Sequence, residues 1–181
     1  MKKIIPSIIL LFVFFTVSAQ KYMTKNGHID FFSHTSIEDI KADNNQVASI
    51  LDISSGELVF QALMKSFHFE KSLMEEHFNE NYVESEKYPK STFTGSITDL
   101  GSVDFQKEGK YEVIVKGELS IHGVSKEVSA EAIIEVTDNG ISASSTFTIK
   151  PEDYKIEIPG VVREKIAKEM KVNVSMKYSL M

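Results

Sequence analysis

The chain contains no cysteine. That excludes disulfides, thiolate metal sites, thioether-linked haem and a cysteine nucleophile. It also excludes a bacterial lipoprotein anchor, which requires a cysteine at the processed N-terminus. An exported domain built this way must be held by its hydrophobic core. Tryptophan is absent as well, while 12 Phe and 7 Met are present. That mixture suits a packed core or an adaptable apolar pocket equally, because the unbranched Met side chain follows irregular shapes. Positive charge is in short supply: 20 Lys and Arg stand against 26 Asp and Glu, a formal charge of −6. Such a balance argues against nucleic acid or an anionic membrane surface as partner.

The one long apolar run lies at the start. Lys2 and Lys3 precede Ile4 to Val17, interrupted by Pro6, Ser7 and Thr16, and Val17-Ser18-Ala19 leads into Gln20. This is the three-part layout of a secretory signal peptide with cleavage after Ala19. The run is shorter than the roughly 20 residues that cross a bilayer, and a polar stretch follows it. The expected division is therefore a signal peptide over 1–19 and one mature domain over 20–181. Loss of Lys2 and Lys3 leaves 18 basic against 26 acidic side chains. The expected location is the periplasm, with no integral membrane segment in the mature chain.

From Gly56 onward the dominant period is two, the pattern of strands with one buried face. Tyr111, Val113, Val115, Gly117, Leu119 and Ile121 alternate with Glu112, Ile114, Lys116, Glu118, Ser120 and His122. Leu58, Phe60, Ala62 and Met64 share a face, as do Phe93, Gly95 and Ile97. Further strands place Val128, Ala130, Ala132, Ile134 and Val136 together, then Ile141, Ala143, Ser145, Phe147 and Ile149, then Val172, Val174, Met176, Tyr178 and Leu180. Two weaker strands are predicted near Ile29–Thr35 and Val47–Ile53. Ser55-Gly56, Glu108-Gly109, His122-Gly123 and Asn139-Gly140 punctuate the series, the last reading as a hairpin turn. Short links make neighbours antiparallel, and about eight such strands predict a closed barrel or a sandwich. Two segments depart from the pattern. Glu70–Tyr82 has helical spacing, with Ser72 and Glu75 as a capping box. Val161–Glu169 reads as a short amphipathic helix through Val162, Ile166 and Met170. No repeat or linker divides the chain.

The size of the inward residues bears on function, since an eight-stranded barrel is either filled by side chains or holds one small ligand. Gly117, Ala130, Ala132, Ala143 and Ser145 are small, whereas Phe60, Met64, Phe93, Val113, Val115, Leu119, Phe147, Val174 and Met176 give large apolar walls. Small residues facing large ones leave room for an elongated apolar guest. They equally allow the Phe- and Leu-rich segment around 67–82 to pack closely over the sheet. Alternation alone leaves both readings open.

Three stretches resemble a known family. They are Phe69-Glu70-Lys71-Ser72-Leu73-Met74-Glu75-Glu76-His77-Phe78 followed by Lys87-Tyr88-Pro89-Lys90-Ser91-Thr92-Phe93; Gly117 through Val128 with its Ile121-His122-Gly123-Val124-Ser125-Lys126 turn; and the tail from Ala143 through Ile149 and Tyr154. Together they resemble the YceI-like family of exported lipid- and polyisoprenoid-binding proteins. The resemblance spans nearly all of 27–181 and is most specific at Gly117–Val128. It implies an all-β, antiparallel, eight-stranded lipocalin-like barrel with one or two short helices, an apolar channel and a homodimer. Two places depart from the family pattern: no Arg-Asp pair precedes the helix, and Lys150-Pro151-Glu152-Asp153-Tyr154 stands where relatives carry an arginine and Phe-Gly. Those departures leave the ligand's head group open.

Catalytic chemistry finds little support. There is no Gly-x-Ser-x-Gly elbow, no phosphate-cradling glycine loop and no His-Glu-x-x-His. His68 and His77, nine apart, fall on opposite faces of a continuous helix. His28 and His34 share a strand face but lie too far apart for one ion. His122 sits in a turn and is expected at the surface. No metal and no cofactor are expected. The expected function is a non-catalytic periplasmic carrier holding a polyisoprenoid, quinone or fatty-acid-like chain. Phe60, Met64, Phe93, Val113, Val115, Leu119, Ala130, Ala132, Ala143, Phe147, Val174 and Met176 would line the channel, and Tyr82, Lys150 and Tyr154 its mouth. The rival expectation is an exported interaction or structural protein with a filled core.

Overall fold

In the computed structural model residues 20–181 are described, so the signal-peptide reading of 1–19 lies outside the described residues. Nine strands are formed: β1 (Lys21–His34), β2 (Asp39–Asp52), β3 (Glu57–Leu63), β4 (His68–Phe69), β5 (Lys90–Ile97), β6 (Gly109–Ile121), β7 (Val124–Thr137), β8 (Gly140–Ile149) and β9 (Met170–Leu180). Eight of them close a fully antiparallel barrel in the order β1-β9-β8-β7-β6-β5-β3-β2, with β2 returning to β1. The two-residue β4 adds to β2 through Ala42 and Asp43. Closure removes the sheet edges that an open sandwich would expose.

The inward faces are those that the period-two pattern assigns. One layer can be followed around the wall from Val113 to Ala132, Ser145, Val174, Ile29 and Asn44, each the register partner of the next. β1 and β2 are twice as long as predicted. Their alternation is hidden in the sequence because Gly27, Ser33, Asn44 and Ser49 point inward, and because the register shifts between Thr24 and Ile29. Each of the three polar intruders is paired, as burial demands. Asn44 Nδ2 donates to the Leu63 carbonyl (3.0 Å), Ser33 Oγ accepts from the Ala167 N–H (2.9 Å), and Ser49 Oγ bonds the Tyr178 hydroxyl (2.8 Å).

Three local expectations are corrected. The β7–β8 turn is Asp138-Asn139, with Thr137 paired to Gly140, so Gly140 opens the strand at a φ of 130°. The capping box does not form. The helix α1 runs Ser72–His77 without a side-chain cap, and Glu75 instead accepts from the Phe69 N–H (3.1 Å), tying the helix to β4. α1 then widens into a looser turn over Phe78–Tyr82, closed by the bond from Val83 N–H to Phe78 O. The second helix is only a tight turn over Gly160–Lys165. So short a segment cannot offset helix nucleation.

The barrel is filled at one end. Leu51, Val47, Ile134 and Met176 are fully buried there, with Leu58, Val136, Ile141 and Tyr178 around them. At the other end the strands splay. β7 pairs with β8 only from Ala132 to Thr137, and β2 with β3 only from Ala48 to Leu51. The segments 64–83 and 150–166 cover that splayed end.

Candidate functional site

A cavity of about 450 Å³ lies at the splayed end. The barrel supplies Ile29 and Phe31 from β1, Leu119 and Ile121 from β6, Phe147 and Ile149 from β8, and Met170 and Val172 from β9. The covering segments supply the other wall, with Phe67, Phe69, Leu73, Met74 and Phe78 on one side and Ile156, Ile158, Val162 and Ile166 on the other. Hydrophobic periodicity explains each half. Strand alternation turns every second residue inward, while Phe67, just before β4, and Phe69 on it flank His68 in the same manner. Phe31, Phe67, Phe69 and Phe78 form one aromatic cluster with ring centroids 5.1 to 5.8 Å apart. Such tilted and edge-on contacts add about 0.5–1.5 kcal/mol per pair beyond area burial. They fix that wall.

Polar groups gather at the rim. Glu38 accepts from Lys71 Nζ (2.8 Å), and Lys165 lies close to the same carboxylate. The Lys71 ammonium holds the Glu38 carboxyl below its ordinary range, and Glu38 in turn raises Lys71. The hydroxyls of Tyr82 and Tyr154 are raised by burial, the second also by the nearby Asp153. A wall this apolar, ringed by a few charges, suits a chain-like apolar guest with a polar end.

The predicted site residues divide by height. Met64, Leu119 and Phe147 line the cavity, as do Tyr82 and Tyr154. Lys150 does not. Its ammonium pairs with Glu169 (3.3 Å) beside the cover. Phe60, Phe93, Val115, Ala130, Ala143 and Met176 lie on the inner face further down the barrel. Val113, Ala132 and Val174 share that level and border an open groove of about 810 Å³ on the outer face of β6–β9, among Glu112, Glu131 and Asn173. That groove is shallow and ringed by charged and polar side chains, so it is the poorer fit for an apolar guest despite its volume. Gly117 does not leave free space. A Cβ there would meet the Phe93 ring tip at 2.8 Å, because that ring lies across Gly117 and its register partner Gly95.

Two histidines differ from expectation. His122 is only 12% exposed, since the two positive φ angles of the His122-Gly123 turn fold its ring beneath Tyr88. Its Nε2 lies 2.7 Å from Glu84 and its Nδ1 3.1 Å from the Tyr154 carbonyl. Both partners are acceptors, so the ring makes both bonds only as the imidazolium. It links the end of one cover (Glu84) to the middle of the other (Tyr154). His28 meets Asp30 (3.2 Å) and Asp43 (3.7 Å) on the outer face of β1 and β2. Cross-strand register, invisible to linear spacing, sets Asp30 opposite Asp43. Lys41 and Asn173 complete that surface network.

Comparison with known proteins agrees with this geometry. Residues 12–178 match the profile of the YceI-like domain. A polyisoprenoid binding domain from Saccharophagus degradans, implicated in plant cell wall breakdown, superposes with a TM-score of 0.78 at 14% identity, covering 91% of this chain and 100% of that one. Burkholderia cenocepacia BcnA gives a TM-score of 0.63 at 12% identity, over 82% of this chain and 94% of that one. A mutant of the Campylobacter jejuni YCEI protein gives 0.62 at 19% identity, over 100% and 99%. Curated protein sequences provide no match. Among the described residues, no helix is long and apolar enough to cross a membrane.

Proposed function

The chain belongs to the YceI-like domain family, and on that premise we propose that it is a periplasmic carrier that holds one long apolar chain without transforming it. The observation that carries the reading is the cavity of about 450 Å³, walled by Phe, Ile, Leu, Met and Val and rimmed by Glu38, Lys71 and Lys165. Each methylene moved from water into such a site contributes about 0.8 kcal/mol before association costs are met. The ligand class follows from that wall: a fatty-acid-like, quinone or isoprenoid tail, its polar end at the rim. The polyisoprenoid-binding relative supports the same class. Export rests on the Lys2–Ala19 pattern.

Organic extraction of protein purified from its native host, followed by mass spectrometry, tests the reading. Stoichiometric long-chain lipid is expected. Protein that is repeatedly empty, and that takes up no added prenol, quinone or fatty acid, would overturn it.

A further inference from the structure

The cavity has a definite depth. On β5, β6, β8 and β9 its lining goes no deeper than Ser91, Leu119, Phe147 and Val172, while on β1 it reaches Ile29. Phe93 is the register partner of Leu119, and one step further down β6 comes Gly117, opposite Gly95. Neither glycine has a side chain, and the Phe93 ring occupies the space where both Cβ atoms would stand, 2.5 and 2.8 Å from those positions. Phe60 braces the ring edge-on, with centroids 5.9 Å apart. Further along the same inner face lie Val115 and Ala130, which are only half-buried. The ring therefore stands between the cavity and that deeper stretch of the inner face.

We propose that Phe93 is the floor of the cavity and sets the length of apolar chain the protein accepts, at about eighteen carbons. The proposal rests on the carrier reading above. A dry engineered cavity of about 150 Å³ takes one benzene, so three times that volume takes about eighteen carbons. That is an octadecanoyl chain or a prenyl chain of about four isoprene units, and a long polyprenyl chain exceeds it. Phe93 can hold this post because the paired glycines let its ring lie flat against the wall. A Cβ at either position would lift it into the cavity.

The test is a binding series on delipidated protein, with saturated fatty acids from decanoic to hexacosanoic and all-trans prenols from geraniol to solanesol. For the natural chain, affinity should rise about fourfold per methylene up to octadecanoic acid and fall at least tenfold by docosanoic acid. Phe93→Ala should move the optimum to longer chains, and Phe93→Leu should move it less. Thermal unfolding followed by circular dichroism establishes that both variants are folded. The series on the natural protein needs no variant. Affinity that keeps climbing through hexacosanoic acid, or folded Phe93 variants with an unchanged limit, would refute the floor while leaving the carrier reading intact. Absence of binding at every length would instead refute the carrier reading.

Discussion

Replacing Tyr178 by Phe should make the protein less stable at neutral pH and more stable in strong alkali. Tyr178 stands on β9 at the filled end and reaches across the interior to Ser49 on β2, 2.8 Å away. Burial pushes its hydroxyl up to about 12, against a smaller lowering by the Ser49 bond. The unfolded chain gives up that proton near pH 10, so between these values the folded state binds more protons than the unfolded one. Stability therefore falls as pH rises. With values of 10 and 12, the loss is about 1.4 kcal/mol by pH 11 and about 2.3 kcal/mol by pH 12. Removing the hydroxyl costs about 1 kcal/mol at pH 8, the net worth of one buried hydrogen bond. The two stability curves should therefore cross near pH 11. Tyr82 and Tyr154 are also raised by burial but are common to both proteins, so the difference isolates Tyr178. Denaturant unfolding from pH 8 to 12, paired with absorbance titration of the phenols, measures it. A constant difference across that range would refute the reasoning.

Two further outcomes follow from the same geometry. Gly117→Ala should destabilise by about 2–3 kcal/mol in urea unfolding, because its Cβ would meet the Thr94 carbonyl, the Gly95 Cα and the Phe93 ring. Phe93→Ala should not rescue it, since two of those three contacts are backbone. Ser33→Ala should leave the Ala167 N–H without its acceptor, costing about 1–3 kcal/mol. It should also raise hydrogen exchange in 160–168 well above that in β6.

How far the sequence reveals this molecule depends on which residues each strand turns inward. β6 and β7 are readable because every inward position from Tyr111 to Val136, apart from the exposed Lys126, is apolar or glycine. β1 and β2 are obscured because Gly27, Ser33, Asn44 and Ser49 break the contrast, and their partners lie far away in the chain. The site is half readable for a related reason. Period two tells which face a residue occupies but not its height in the barrel. Met64 and Phe93 therefore look alike in sequence, while one lines the cavity and the other lies beyond its limit. The second wall comes from irregular segments. Its local signals are the alternations Phe67-His68-Phe69 and Ile156-Glu157-Ile158 and the helical spacings over Glu70–Tyr82 and Val162–Ile166, each too short to weigh alone.

The two ends of the barrel are held by different forces, and this bears on how a ligand enters. At the filled end, strand pairing and side chains such as Leu51, Ile134 and Met176 bury apolar area that can be exposed only by unfolding the barrel. The covers are tied by polar links, Glu38–Lys71 and Ser33–Ala167 to the β1–β2 side and His122 to Glu84 and Tyr154, and by buried side chains of their own, Phe67, Val83, Tyr154 and Ile166. A buried hydrogen bond of this kind contributes about 1 kcal/mol, and an exposed ion pair less. Releasing a cover breaks those links and bares those side chains but breaks no ladder of the eight-stranded barrel, so it costs less than global unfolding. Entry from the rim, past Lys71 and Lys165, therefore requires no strand to separate. On the carrier reading proposed above, an apolar chain goes in end first and stops at Phe93.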